Sequence, residues 1–148
     1  MSLLEPAPDL HRKSRALTIT AVVCIVIAAF AVWYALRFYP EKKTAEEFLN
    51  AVVAGDMNRA YEIWKPGPSY KMQDFLADWG PSGYYGPVKS YEILKARTPR
   101  GSATSVEVRV TISPFSPMPA ATDAEKSQKT KVVNLWIDTK DKSFSFPP

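Results

Sequence analysis

The feature that most constrains this chain is an uncharged apolar run near its N-terminus, residues 16–36, which reads ALTITAVVCIVIAAFAVWYAL. At about 1.5 Å of rise per residue, a helix of this length spans about 30 Å, the thickness of the hydrocarbon core of a bilayer. Trp33, Tyr34 and Tyr39 lie at its C-terminal end, where amphipathic rings favour the membrane interface. A soluble core helix this long would normally carry a polar face. The run therefore predicts one lipid-embedded transmembrane helix over residues 16–38.

The basic residues before this run raise the alternative of a cleaved signal peptide. The segment Ala29-Phe30-Ala31 resembles a signal-peptidase site. The apolar run continues beyond it to Leu36, however, which is long for a signal peptide. We therefore expect an uncleaved anchor, with cleavage near Ala31 as the alternative.

The charges flanking the run do not decide its orientation, because three basic residues lie on each side. They are Arg12, Lys13 and Arg15 before the run, and Arg37, Lys42 and Lys43 after it. The positive-inside rule therefore gives a tie. The N-terminal segment, residues 1–15, contains two prolines and mixed charges, which predicts a short disordered basic tail. With so short a tail, we expect a single-pass protein with its N-terminus in the cytoplasm and its C-terminal domain outside.

Residues after the anchor first follow helical patterns. Thr44 and Glu47 match a capping box and predict the start of a helix that Gly55 would end. Asp56 is a favoured N-cap residue for a second helix. A third, shorter helix is expected near residues 70–79. Its apolar face would consist of Met72, Phe75, Leu76 and Trp79.

The C-terminal half changes to the period-two pattern of strands. The segments expected to form strands are 88–97, 106–112, 131–138 and 143–146. Residues 113–128 contain three prolines and predict a long loop, with a short turn at 123–126. The predicted fold class is therefore α+β. We expect one small domain over residues 41–148, with two to three helices packed on a curved antiparallel sheet of three to four strands.

The segment Ala45–Trp64, AEEFLNAVVAGDMNRAYEIW, resembles the opening of small NTF2-like domains. Those domains often begin with an amphipathic helix, then Gly-Asp, then a helix with an Ala-Tyr pair. The matching residues here are Gly55-Asp56 and Ala60-Tyr61. The resemblance implies a cone-shaped α+β fold whose sheet surrounds a concave pocket. It implies no particular activity, because that fold serves enzymes, binding modules and assembly factors alike, and no position matches a catalytic pattern of the family.

Several kinds of chemistry lack the residues they require. Cys24, the single cysteine, lies inside the apolar run, and His11, the single histidine, lies in the tail. The sequence therefore excludes an intrachain disulfide and a Cys/His metal cluster in the domain. It contains neither a G-x-S-x-G motif nor the glycine spacing of a phosphate loop. A net charge of +4 does not favour a nucleic-acid binder. We expect no catalytic residue, metal, cofactor or nucleic-acid partner.

Two sets of charged residues are weaker candidates. Asp74 and Asp78 are four residues apart, so on a helix they would share a face as an acid–base pair or a cation site. We favour a solvated face instead, because no third ligand supports the pair. The second set could face anionic lipid or an acidic partner, but we favour a solvated surface for it as well. Its members are Lys126, Lys129, Lys131, Lys140 and Lys142.

The segment from Trp79 to Pro87, WGPSGYYGP, is the strongest candidate binding site in the sequence. Rigid amphipathic rings such as Trp79, Tyr84 and Tyr85 make good interface anchors. For the segment as a whole we favour a rigid connection whose rings fill the open end of the sheet, with a binding rim as the alternative. We expect a division, with Trp79 in the core and at least one tyrosine exposed and functional.

These observations predict a membrane-anchored, non-enzymatic accessory domain outside the cytoplasm. It would bind a protein partner or a small apolar ligand, and a role as an assembly or scaffold subunit is a third interpretation. The competing hypothesis is a small enzyme of isomerase or dehydratase type that uses a pocket carboxylate or tyrosine. The enzyme requires a carboxylate buried in the pocket. The side chains whose direction would discriminate are Asp56, Tyr61, Asp74, Asp78, Tyr84 and Tyr85.

Overall fold

The computed structural model describes residues 10–116 and 129–146, with residues 10–13 described by their backbone alone. The chain divides between Arg37 and Phe38 into two compact units, Met1–Arg37 and Phe38–Pro148. The helices are α1 (Leu10–Leu36), α2 (Tyr39–Ala54), α3 (Met57–Trp64) and α4 (Met72–Trp79). The strands are β1 (Ser90–Arg97), β2 (Ser105–Ser113), β3 (Lys131–Asp138) and β4 (Phe144–Ser145). The turn expected at 123–126 and the candidate Lys126 lie outside the described residues.

Helix α1 contains the whole apolar run, and by length and composition it could cross a membrane. Thr18 and Thr20 donate their hydroxyl protons to the carbonyls of Ser14 and Ala16, both at 2.9 Å, so neither hydroxyl needs water. The helix begins at Leu10, so the prediction of a disordered tail is wrong for residues 10–15. Arginine and lysine propagate a helix well, which explains why it extends beyond its apolar part.

Helix α2 begins five residues earlier than the sequence predicts, and the predicted capping box at Thr44 is wrong. Thr44 lies inside the helix, where its hydroxyl donates to the carbonyl of Pro40 at 2.9 Å. Pro40 itself occupies the first turn, where its fixed φ suits a helix and its missing N–H costs nothing. Pro40 therefore opens this helix.

The junction between α2 and α3 follows the prediction closely. Gly55 adopts a left-handed conformation with φ of 78°, and its N–H bonds back to the end of α2. Asp56 then caps α3, because its carboxylate accepts a hydrogen bond from the N–H of Arg59 at 3.0 Å. Helix α4 is two residues shorter than expected. Leu76, which the spacing placed on its apolar face, is 38% exposed.

The four strands form one antiparallel sheet in the order β1-β2-β3-β4, so the domain has the predicted α+β class. The alternating apolar residues of β2 and β3 are buried on the face that packs against the helices. They are Val106, Val108, Val110, Ile112, Val133, Leu135 and Ile137. The opposite face of the sheet carries mostly polar residues.

The space between helices and sheet is filled by aromatic rings. The ring of Phe48 is fully buried and lies 5.0–6.2 Å, between centroids, from four other rings. These rings belong to Trp64, Phe75, Trp79 and Phe144. The concave pocket that the NTF2-like resemblance implies is therefore occupied here by side chains of the core.

Candidate functional site

The aromatic loop, residues 79–87, folds back onto the end of α4. The N–H groups of Tyr84 and Tyr85 donate to the carbonyls of Ala77 and Asp78, at 2.9 and 2.7 Å. These carbonyls belong to the last turn of α4, where a helix leaves its acceptors without intrahelical partners. The loop thus caps the helix from which it emerges.

The same fold-back explains two of the glycines in the loop. A Cβ atom at Gly86 would lie 1.9 Å from the carbonyl oxygen of Gly80, and one at Gly83 would lie 2.7 Å from that of Asp78. Both contacts are with backbone atoms, which cannot move aside as a flexible side chain would. In this conformation of the loop, only glycine fits at either position.

The three candidate rings form a series that leads from the core to the surface. Trp79 is 1% exposed and packs perpendicular to Phe48, with centroids 5.0 Å apart. Tyr85 is half-buried and stacks on Trp79 at 4.6 Å. Tyr84 packs edge-on against Tyr85 at 4.9 Å and is 70% exposed. Trp79 is therefore a core residue that supports the other rings. Its prediction as a residue in direct contact with a partner is wrong.

Lys131, at the start of β3, joins the exposed ring to the sheet. Its ammonium group lies 4.9 Å from the centre of the Tyr84 ring and donates to the Tyr84 carbonyl at 2.5 Å. The next residue, Val132, is 62% exposed. Tyr84, Tyr85, Lys131 and Val132 together form one surface, named here the Tyr84 patch.

Two open clefts border the Tyr84 patch. The first, of about 460 Å³, lies between the aromatic loop and the region where β2 ends, and its lining includes Tyr85, Phe115 and Lys129. The second, of about 420 Å³, lies along the start of β3 and is lined by Tyr84, Tyr85 and residues 131–134. No Asp or Glu of the described residues lines either cleft. Their chemistry is aromatic, apolar and cationic.

The predicted carboxylate pair has structural partners instead of a shared ligand. Asp74 accepts a hydrogen bond from the N–H of Lys71 at 2.9 Å at the start of α4. Asp78 accepts one from the hydroxyl of Tyr70 at 2.6 Å. Burial, and then the hydrogen bond and charge of Asp78, raise the pKa of Tyr70, so this hydroxyl holds its proton firmly. Within the described residues, no group of three or more His, Cys, Asp or Glu side chains could hold a metal ion.

The other discriminating side chains do not form a catalytic group either. Asp56 is exposed and occupied by its capping bond, and Tyr61 is half-buried and donates to the carbonyl of Tyr70 at 2.8 Å. The enzyme hypothesis requires a buried carboxylate, and none of the three aspartates is buried. The structure therefore brings Tyr84, Tyr85 and Lys131 together on one surface. Asp78 lies beside Tyr70 and Tyr85, and burial, followed by the charge of Asp78, raises the pKa of the Tyr85 hydroxyl.

Sequence reasoning missed two buried carboxylates, each of which has a cationic partner. Glu41 receives a hydrogen bond from the ammonium group of Lys142 at 2.6 Å, so this candidate lysine is not simply solvated. Glu107 is bound by the Nε and Nη2 atoms of Arg97, at 2.8 and 3.2 Å. Both pairs join residues that only the tertiary fold brings together, and no local pattern could have revealed them.

Comparisons of the chain with protein-family models, with curated proteins and with solved structures gave no match. The geometry of the Tyr84 patch and the apolar helix are therefore the features that bear on function.

Proposed function

We propose that this protein is a single-pass, membrane-anchored accessory protein whose domain binds a protein partner through the Tyr84 patch. One observation carries the proposal. Tyr84 is 70% exposed, on a loop that backbone hydrogen bonds and close glycine contacts hold in one shape. A large ring presented in this way gains contact area on binding and loses little conformational entropy.

The geometry favours a protein over a small apolar ligand as the partner. The interior of the domain is filled by rings, and the clefts beside the patch are open to solvent. Small-molecule sites usually enclose most of the ligand surface. An amphipathic tyrosine ring presented at the surface is instead a residue type that protein interfaces favour. Assembly or scaffolding of a membrane complex is a role that this arrangement would serve.

The alternative of an isomerase or dehydratase has less support. Such an enzyme needs a buried acid or base next to its substrate, and neither cleft has a carboxylate among the described residues. Tyr70, with its raised pKa, would be a poor proton donor near neutral pH.

The family and the topology are parts of the same proposal. Helices followed by an antiparallel sheet, with Gly55-Asp56 at the helix junction, agree with an NTF2-like domain. A cytoplasmic N-terminus and an external domain are the topology that we propose with it. Protease treatment of sealed membrane vesicles of known orientation would test that topology, and protection of the domain in right-side-out vesicles would contradict it.

Partner capture by the full-length protein in mild detergent tests the binding function. Tyr84→Ala should lower the partner's affinity by about fivefold or more, because truncating an anchor ring costs more than about 1 kcal/mol. The melting temperature should stay nearly unchanged, because the ring is exposed. Tyr39→Ala is the control, since Tyr39 is also an exposed tyrosine, at 57%, and lies in the first turn of α2. Normal capture by both Tyr84→Ala and Tyr85→Ala, at unchanged stability, would eliminate the patch as the binding site.

A further inference from the structure

The face of the sheet opposite the helices, named here the open face, carries side chains that alternate with the buried residues of β2 and β3. Thr111 lies opposite Val132, Arg109 lies opposite Asn134, and Glu107 lies opposite Trp136. Arg109 and Val132 are exposed, and Trp136 is half-buried. Charged and aromatic groups therefore share one sheet surface.

A bulge in β1 adds a lysine to this face. The pairing of β1 with β2 shifts between Ile93 and Lys95, so Leu94 is an extra residue without a partner. As a result, Lys95 lies opposite Arg109. Without the bulge, Lys95 would lie opposite the buried Val108. The irregularity thus places two cations directly across from each other on neighbouring strands.

Among the residues that the structure describes, this pair of cations forms no salt bridge, although a carboxylate lies in the row on either side. Glu92 is opposite Thr111, and Glu107 lines one small cleft with Lys95 and Arg109. Like charges directly opposite each other in a sheet are destabilising. In the described part of the chain, neither Lys95 nor Arg109 forms a salt bridge, and Arg109 donates only to the side chain of Asn134, at 3.2 Å. Glu107, the carboxylate of the adjacent row, is already held by Arg97 through two hydrogen bonds. In this cleft three cations, Lys95, Arg97 and Arg109, therefore face one carboxylate, and the fold keeps an excess of positive charge there.

The open face is continuous with the Tyr84 patch. Val132 belongs to both, because it lines the second cleft with Tyr84 and pairs with Thr111 in the sheet. Along the same face of β3, Asn134 and Trp136 follow Val132 at alternate positions. A partner anchored on Tyr84 would therefore extend towards the two cations.

We propose that the open face binds an acidic, extended segment of the protein partner, whose carboxylates pair with Lys95 and Arg109 and whose apolar side chains contact Trp136. This inference rests on the proposed function, because it names the chemistry of the same partner. A second copy of this chain is a poorer occupant, since two-fold pairing through this face would bring the cation pairs together. A bilayer with anionic lipid is the other source of negative charge, and the test separates it.

The first test uses fluorescent peptides and the full-length protein in detergent. An alternating Thr-Glu peptide should bind, and its Thr-Gln and Thr-Lys counterparts should bind much more weakly. Arg109→Gln and Lys95→Gln should each lower the affinity for the Thr-Glu peptide by about threefold. The difference from the unmodified protein should be smaller at high salt. Lys140→Gln, which removes an exposed lysine from the β3–β4 turn, is the control and should have no effect. Equal binding of Thr-Glu and Thr-Gln peptides would overturn the proposal.

A charge reversal gives a sharper test. Lys95→Glu places a carboxylate opposite Arg109, so it should raise the melting temperature of the domain. The same change should lower the affinity for the Thr-Glu peptide by about tenfold. Opposite signs for stability and binding would not result from a residue with only a structural role. A variant that loses both stability and binding, or that binds normally, would contradict the proposal.

Partner capture distinguishes failure of this inference from failure of the proposed function. Loss of capture with Tyr84→Ala but not with Arg109→Gln would support the Tyr84 patch as the binding site. It would contradict the binding of an acidic segment on the open face. Loss with Arg109→Gln alone would support the acidic segment and remove Tyr84 as the anchor. Binding to vesicles of phosphatidylcholine with phosphatidylglycerol that depends on Lys95 and Arg109, or a dimer that dissociates in Lys95→Gln, would overturn the inference in favour of lipid or a second copy.

Discussion

At the scale of single residues, the rings of Trp79, Tyr85 and Tyr84 pass outward from the core, each more exposed than the one before. The burial of Trp79 matters for stability, because its ring touches both Phe48 and Tyr85. The exposure of Tyr84 matters for the recognition that we propose, because the ring has most of its surface free. In that proposal, adjacent rings of one loop serve stability and binding separately.

Replacing Trp79 with alanine should therefore unfold much of the domain. Loss of a buried tryptophan costs about 3–5 kcal/mol, a large part of the roughly 5–15 kcal/mol that stabilises a domain. Chemical denaturation followed by circular dichroism measures this free energy. Tyr84→Ala is the comparison and should change it by less than about 0.5 kcal/mol. A Trp79→Ala protein of normal stability would show that this ring is not part of the core.

At the scale of elements, α4 and the aromatic loop act as one unit. The loop donates hydrogen bonds to the last carbonyls of α4, and these bonds also fix the path of the loop against the end of the helix. Gly86 approaches Gly80 so closely that the path leaves no room for a side chain. The position of Tyr84 therefore depends on a backbone contact and not only on its own packing.

Gly86→Ala should disturb the loop without touching any ring directly. The new methyl group would overlap the Gly80 carbonyl, so the loop must shift, at a cost of about 1–3 kcal/mol. We expect a lower melting temperature, a changed near-ultraviolet circular dichroism spectrum and weaker partner capture. Gly67→Ala is the matched control, because a Cβ atom there meets nothing within 4 Å. Equal stability of the two variants would mean that the loop accommodates the methyl group.

At the scale of the whole molecule, the chain consists of an apolar helical unit and a domain with its own core. The domain begins at Phe38, and residues close to this boundary already belong to it. Glu41 is buried and pairs with Lys142 near the other end of the domain. A fragment that starts after Glu41 would leave a cation without its partner, so the natural boundary precedes α2.

Fragment 38–148 should fold as a soluble α+β domain, whereas the full chain should stay in the membrane fraction after high-salt and alkaline washing. The domain can bury its apolar faces without lipid, and insertion of the apolar helix is not screened by salt. Circular dichroism of the fragment and fractionation of the full chain measure these outcomes. A random-coil spectrum would refute an independent domain, and release of a product beginning near Val32 would show cleavage of the anchor.

The elements that depend on neighbours in the chain could be predicted from the sequence. The apolar run became a helix, the alternating segments became strands, and Gly55-Asp56 ended one helix and started the next, because these signals act within a few residues. The division between Trp79 and the tyrosines also followed from the composition of the loop. Thr44 was misread because an equally local signal, Pro40 in a first turn, lay upstream of it.

Only the tertiary structure decided which distant residues share a surface. The bulge at Leu94 places Lys95 opposite Arg109, and the register of β1 and β2 brings Arg97 to Glu107. Lys131 reaches Tyr84 across 47 positions of the chain. The physical reason is that burial and charge pairing depend on strand register and on the packing of separate elements. The order of residues within one segment specifies neither of these.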